Sequence, residues 1–88
     1  MPRMVMTHAV VDIERWLEGK EARAQAIGAA GTNVTDYVAL DGSSSIAVTA
    51  DVHDMDAAQA LISSPPPEAV ALMEKHGVVQ PITAYIEA

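Results

Sequence analysis

A short turn in the middle of the chain constrains the fold more than any other feature of the sequence. Residues 41–45 have the sequence Asp-Gly-Ser-Ser-Ser, which is typical of a turn. Strand-like segments with many β-branched residues lie on both sides, from Asn33 to Asp41 and from Ile46 to Val52. Because a connection this short joins antiparallel neighbours, the two segments are predicted to form a hairpin.

One strand and one helix are predicted before this hairpin. Val5 to Val11 is rich in β-branched and apolar residues and is predicted to be the first strand. Asp12 is a good N-cap for a helix whose apolar residues recur at helical spacing. We expect this helix to run to Gly28, in the left-handed conformation that glycine adopts cheaply after a helix.

A second helix and a last strand are predicted after the hairpin. Asp54 or Asp56 is expected to cap the helix, and the prolines at 65–67 must interrupt it because they remove backbone donors and clash with the preceding turn. The helix is expected to resume near Glu68, and a last strand is predicted from Ile82 to Glu87.

The order strand, helix, strand, strand, helix, strand predicts an α+β, ferredoxin-like βαββαβ fold. We expect one domain over residues 1–88, with a four-stranded antiparallel sheet and both helices on one face. Alternation along the last three strands predicts which residues pack beneath the helices. They are Val34, Val38, Leu40, Ile46, Val48, Ala50, Val52, Ile82, Ala84 and Ile86, with Asp36 as a charged exception.

The opposite sheet face is predicted to carry Tyr37, Asp51 and Tyr85 among threonines and alanines. Such a face is more apolar than a solvated sheet face usually is, and tyrosine is enriched at protein interfaces. We therefore expect two copies of the chain to pair through this face as an α+β barrel. The alternation of the first strand is ambiguous, and we place His8 on this open face.

A small core also favours self-association. Of the 50% of residues that are hydrophobic, 16 are alanine, and the 88-residue chain has no Phe and no Cys. A domain of this size buries only about 60% of the surface that its unfolded chain exposes. Without disulfides, a partner is the common source of further stability, so the sequence predicts a homodimer.

The charge balance argues against several partners. The net charge of −7 repels phosphate backbones, so we expect no nucleic-acid binding. No basic amphipathic stretch and no long apolar run is present, so we expect no membrane association. The N-terminal residues lack the apolar core of a signal peptide, and we therefore expect a cytoplasmic location.

Three segments resemble a known family. They are residues 8–12 leading into Trp16, residues 51–54 before Ala57, and residues 64–65 followed by 71–79. In order and spacing they are similar to the dimeric α+β barrel superfamily, in particular to small proteins resembling antibiotic-biosynthesis monooxygenases. The resemblance implies a homodimer with a pocket between each sheet and its helices or loops. It covers nearly the whole chain, and a fold alone does not fix a function.

The resemblance also bears on cofactors. Some relatives oxidise aromatic substrates without a cofactor, and others degrade haem with an Asn on the first strand and a Trp and a His on the second helix. Here His76 matches that His, but His8 stands on the first strand and the second helix has no Trp. We therefore expect no cofactor. The three histidines lack the local spacing of a metal site, so no metal is expected either.

Several functions remain open from the sequence. The first is the binding of a small apolar or aromatic ligand, or an accessory role, with His8, Tyr37, Asp51 and Tyr85 as the candidate site residues. The second is a cofactor-independent, monooxygenase-like enzyme with His8 as the base and Tyr37 or Tyr85 orienting an aromatic substrate. The third is a purely structural or interaction dimer. His8 could also be a core histidine with an ordinary hydrogen-bond partner, and Trp16 is expected to be a core residue.

Overall fold

A four-stranded antiparallel sheet forms the centre of the protein. The computed structural model describes residues 1–88. Its elements are β1 (Arg3–Val10), α1 (Ile13–Leu17), α2 (Lys20–Ile27), β2 (Gly31–Val38), β3 (Ser45–Val52), α3 (Met55–Ser63), α4 (Pro67–Lys75) and β4 (Val78–Ile86). The strand order is β2-β3-β1-β4, which confirms the ferredoxin-like arrangement.

The strand register decides which residues share a face. In β1, Val5 lies between Thr49 of β3 and Tyr85 of β4, and Thr7 lies between Ala47 and Thr83. The intervening residues of β1 and β3 form the core beneath the helices: Met4, Met6, Val10, Ile46, Val48, Ala50 and Val52. The alternation predicted for β3 is therefore confirmed.

The helices cover only part of the aliphatic face that was predicted to be buried. Val34 and Ile82 pack against the core. Val38, Leu40, Ala84 and Ile86 are exposed, and Leu40 lies in the turn after β2. The prediction that all these positions pack beneath the helices is wrong for these four residues: Val38, Ala84 and Ile86 lie on the two edge strands, and Leu40 lies beyond the end of β2.

The first predicted helix is two helices. Asp12 caps α1 by accepting a hydrogen bond from the Glu14 backbone N–H at 3.0 Å, as predicted. The chain then breaks at Gly19, where a Cβ atom would overlap the ring of His76. Gly28 has a φ of −55°, so the left-handed conformation predicted there is wrong. The left-handed glycine that follows a helix is Gly77, with a φ of +73° after α4.

The second predicted helix is also divided, as the prolines required. Asp54 caps α3 through the Ala57 backbone N–H at 3.1 Å, and α4 begins at Pro67. The last strand begins at Val78, earlier than predicted, and contains Pro81. Proline is tolerated there because β4 is an edge strand and pairs only with β1. No helix has both the length and the hydropathy needed to cross a membrane.

Candidate functional site

A cavity of about 110 Å³ lies between the sheet and the helices. Most of its lining is hydrophobic, and every element except β2 contributes to it. Its hydrophobic wall includes Met6, Val48, Leu61, Ile62, Leu72 and Met73. The polar residues are His8 from β1, Trp16 from α1, Arg23 from α2 and His76 after α4. The cavity is therefore apolar with a few polar groups, as ligand sites commonly are.

Two residues that line this cavity each have one buried N–H donor without an acceptor in the protein. The donors are Nε1 of Trp16 and Nη2 of Arg23. Trp16 is fully buried and belongs to the hydrophobic core, as the sequence predicted. A buried donor without a partner costs about 1–3 kcal/mol, so an acceptor supplied by a bound molecule would stabilise the site.

Hydrogen bonds hold the Arg23 guanidinium in place. Nε donates to Oδ1 of Asp36 at 3.0 Å, and Nη1 donates to the Trp16 backbone carbonyl at 3.2 Å. The guanidinium carbon lies 3.9 Å from the centroid of the Trp16 ring, which is a cation–π contact. The side chains of Arg23 and Asp36 are only 14% and 3% exposed. One buried ion pair therefore fixes the donor group at the cavity wall.

His8 has one unprotonated ring nitrogen that can accept a hydrogen bond. Its Nδ1 lies 2.8 Å from the Ala9 carbonyl oxygen, and because a carbonyl only accepts, Nδ1 carries the proton. Burial lowers the pKa of His8 below its usual value and the Arg23 charge lowers it further, whereas the bond to Ala9 opposes both. The imidazole is thus neutral near pH 7, with Nε2 as an acceptor. Its ring meets the Trp16 ring edge-on, with centroids 6.3 Å apart.

His76 and its neighbours fix the end of α4 against α1. The His76 side chain is buried against the break at Gly19. Arg15 of α1 donates from Nε to the Lys75 carbonyl at 2.8 Å and from Nη2 to the Glu74 carbonyl at 2.9 Å. These bonds supply side-chain donors to carbonyls in the last turn of α4, where further helical donors are missing. They therefore hold the His76 wall of the cavity to α1.

The structure does not bring the four predicted site residues together. His8 lies on the helix side against Trp16, so its predicted place on the open face is wrong. The reason is the register of β1, which turns Met4, Met6 and His8 to the same side. Tyr37, Asp51 and Tyr85 lie on the open face, as predicted, on strands β2, β3 and β4.

Side-chain contacts on the open face are longer than those of Arg23 on the helix side. The Thr49 hydroxyl donates to the Tyr37 oxygen at 3.4 Å. Asp51 pairs with Arg3 at 3.4 Å and accepts from Nδ2 of Asn33 at 3.3 Å. A groove of about 400 Å³ lies at this face and is lined by Thr7, Tyr37, Ala47 and Thr83 among others. His8 also borders this groove, so it is the one predicted site residue that lines both the groove and the cavity. Asp36 and Asp51 lie on opposite faces, as predicted.

No cluster of three or more His, Cys, Asp or Glu side chains is placed to hold a metal ion. His8 and His76 both line the cavity. His53 lies apart from them, with its Nε2 3.3 Å from the Gly28 carbonyl oxygen.

Arg23 is the site residue that the sequence analysis missed. Two signals in the sequence pointed to it. Asp36 is a charge within an aliphatic set and therefore needs a basic partner. Arg23 follows Trp16 by seven residues, a separation that places both on the same side of the single helix predicted over this segment. Together they indicate a buried ion pair beside the tryptophan.

Solved structures of other proteins share this fold. A protein from Deinococcus radiodurans and one from Nitrosomonas europaea, both assigned by name to the antibiotic biosynthesis monooxygenases, superpose with TM-scores of 0.61 and 0.62. Their sequence identities are 19% and 13%, and the alignments cover 100% of this chain and 92% and 97% of theirs. A protein from Agrobacterium tumefaciens superposes with a TM-score of 0.67 at 10% identity, over 100% of this chain and 92% of that one. No protein-family model and no curated protein matches the sequence. The chain thus has the fold of the antibiotic biosynthesis monooxygenase-like proteins, as the sequence resemblance implied.

Proposed function

We propose that the protein, on the fold it shares with these structures, binds a small and mostly apolar molecule in the cavity between its sheet and its helices. The observation that carries the proposal is the pair of buried donors, Trp16 Nε1 and Arg23 Nη2, which have no acceptor in the protein. An oxygen atom of the ligand would accept hydrogen bonds from them. The apolar wall would bury the rest of the molecule.

The size of the cavity limits the ligand. Its volume of about 110 Å³ is below the ~150 Å³ of an engineered cavity that holds benzene. It is also well below the ~300–1,000 Å³ of sites for drug-sized molecules. The proposal is therefore for a ligand, or for the buried part of a larger one, somewhat smaller than a benzene ring.

The single tryptophan provides a direct test. Trp16 is the only Trp in the chain, so its indole N–H gives one side-chain resonance in a ¹H–¹⁵N correlation spectrum. We expect a panel of one-ring ketones, amides and phenols to include compounds that shift this resonance and raise the melting temperature.

Two variants decide where such compounds bind. Ala69→Leu adds a side chain to the cavity wall and should abolish both effects, whereas Tyr37→Phe on the open face should preserve them. Binding that survives Ala69→Leu and disappears with Tyr37→Phe would refute the cavity proposal.

The neutral His8 supports a second candidate, a monooxygenase-like activity without a cofactor. Its Nε2 lone pair would accept the proton of an aromatic hydroxyl group, and the resulting electron-rich anion would react with dioxygen as cosubstrate.

Oxygen consumption with phenol, catechol and resorcinol tests this candidate. His8→Gln should lower the rate by at least about 100-fold, the usual contribution of a general base, and His53→Gln should leave it unchanged. Equal rates in the two variants would refute a base role for His8.

The open face supports self-association, which we propose as a homodimer. Tyr37 and Tyr85 are 44% and 58% exposed on a face that otherwise carries mostly threonine and alanine side chains, with the Arg3–Asp51 pair at one end. Paired sheets would bury the rings and give the hydroxyls partners. Tyr85→Asp should convert the dimer to a monomer in sedimentation velocity, whereas Val70→Asp, at an exposed site on α4, should not. A wild-type monomer at micromolar concentration would refute this proposal.

A further inference from the structure

We infer that the cavity selects an uncharged carbonyl compound and rejects the carboxylate of the same shape. This inference rests on the proposed ligand site. It follows from the charges and the hydrogen-bonding groups around that site.

The charges around the cavity favour a neutral ligand. Arg23 is the only Lys or Arg side chain that lines the cavity, and the Asp36 carboxylate already pairs with it at 3.0 Å. A ligand carboxylate would meet the attraction of Arg23 and the repulsion of Asp36 at nearly the same place. The net attraction between the ligand carboxylate and the Arg23–Asp36 pair is therefore small. It does not offset the free energy that the carboxylate loses when it is buried and gives up its hydration. The net charge of −7 adds to the barrier against an anion.

The hydrogen-bonding groups around the cavity also favour a carbonyl compound over a carboxylate. The two donors without partners, Trp16 Nε1 and Arg23 Nη2, are equal in number to the lone pairs of one carbonyl oxygen, and both residues line the cavity. His8 adds an acceptor at Nε2, because its Nδ1 proton is donated to Ala9. A second acceptor facing that lone pair is unfavourable, whereas a ligand N–H or O–H would donate to it. Carboxylates have only acceptors, whereas a primary amide has both kinds of group.

Isobutyramide and isobutyrate test the inference directly, because they have the same shape and differ in charge and donors. Each is titrated into the protein at pH 7 while the Trp16 indole resonance is followed. We expect isobutyramide to bind at least about tenfold more tightly, as burial of an unbalanced charge requires. Equal affinity, or tighter binding of isobutyrate, would overturn the inference while the ligand site itself would stand.

Asp36→Asn tests the charge argument within the protein. The amide oxygen of Asn can still accept from Arg23, but the guanidinium loses its counter-charge. We expect the preference to shift towards isobutyrate by at least about tenfold. Asp56→Asn, which removes the same charge from an exposed position in α3, should leave the preference unchanged. An unchanged preference in Asp36→Asn would contradict the charge argument.

Failure of the ligand site gives a different result. Neither compound would then shift the Trp16 resonance up to about 100 mM, a concentration at which a millimolar Kd gives saturation. That outcome would refute the proposed function and this inference with it. Binding of isobutyramide without binding of isobutyrate supports both the ligand site and the preference for an uncharged ligand.

Discussion

The two faces of the sheet each carry an Arg–Asp ion pair, and the two pairs differ in burial. Arg23 and Asp36 meet on the helix side at 3.0 Å, with side chains 14% and 3% exposed. Arg3 and Asp51 meet on the open face at 3.4 Å, with side chains 51% and 28% exposed. The same residue types therefore fix a donor beside a cavity on one face and remain partly hydrated on the other. Burial decides which pair can shape a ligand site.

The aromatic residues show the same contrast. Trp16 is fully buried and contacts both Arg23 and His8. Tyr37 and Tyr85 remain largely exposed and would be covered only by a partner. The helix side is thus suited to hold a molecule inside one chain, and the open face is suited to pairing between chains.

Removal of the aromatic side chains should give the largest difference between the faces. Trp16→Ala should lower the free energy of unfolding by about 3–5 kcal/mol, because a large buried side chain is lost and a cavity remains. The total free energy of unfolding of a native protein is only about 5–15 kcal/mol. Tyr85→Ala should lower it by less than about 1 kcal/mol when measured on the monomer. Urea denaturation of both variants measures the two effects, and equal losses would contradict the division of roles.

Loss of the two ion pairs should give the second-largest difference in stability between the faces. Asp36→Ala leaves the buried Arg23 without its counter-charge and should cost about 2–3 kcal/mol. Asp51→Ala breaks the partly exposed pair with Arg3 and should cost less than about 1 kcal/mol. Chemical denaturation in low and high salt makes the comparison sharper, because only the exposed pair is strongly screened. A larger loss of stability in Asp51→Ala than in Asp36→Ala would show that burial does not determine which ion pair contributes more to stability.

Two glycines of the same helical region allow a smaller comparison. Gly19→Ala places a Cβ against the His76 ring, so the ring must move and stability should fall by about 1–3 kcal/mol. Gly28→Ala meets only the Gln25 and Ala24 carbonyl oxygens, at 3.2 and 3.3 Å, in a right-handed conformation that alanine adopts. Its effect should be within about 1 kcal/mol. Thermal melting compares the variants, and the His76 ring resonances should shift only in Gly19→Ala.

The pH dependence through His8 should be the smallest effect. Its pKa is lower in the folded chain than the 6.5 of an unperturbed histidine, mainly because of burial. The unfolded chain therefore binds more protons, so the His8 contribution is complete above pH 6.5 and is lost as the pH falls towards the folded pKa. His8→Gln should flatten the dependence of the melting temperature on pH between about 7.5 and 5.5. An unchanged slope would show that His8 is not buried as described.

Much of the fold was predictable because it depends on local patterns. The capping aspartates, the interrupting prolines and the alternation of β3 are each encoded within a few residues. The break at Gly19 was not predictable in this way, because its cause is the ring of His76, 57 residues later in the chain. The early start of β4 was missed because Pro81 argues against a strand unless that strand lies at an edge.

The candidate site was predicted less well than the fold. Tyr37, Asp51 and Tyr85 were placed on the correct face because alternation alone determines it. His8 was placed on the wrong face, since both alternating sets of β1 contain apolar residues and only the pairing with β3 resolves them. Arg23 joins the site through Asp36 on another element, so helical periodicity alone did not identify it.

Native mass spectrometry of the freshly purified protein tests the division between the two faces most directly. We expect a dimer in which each chain carries a small molecule. The Ala69→Leu protein should remain a dimer without that molecule, and Tyr85→Asp should become a monomer that retains it. A small molecule that persists in Ala69→Leu but is lost with the dimer in Tyr85→Asp would place the ligand on the open face and contradict the account.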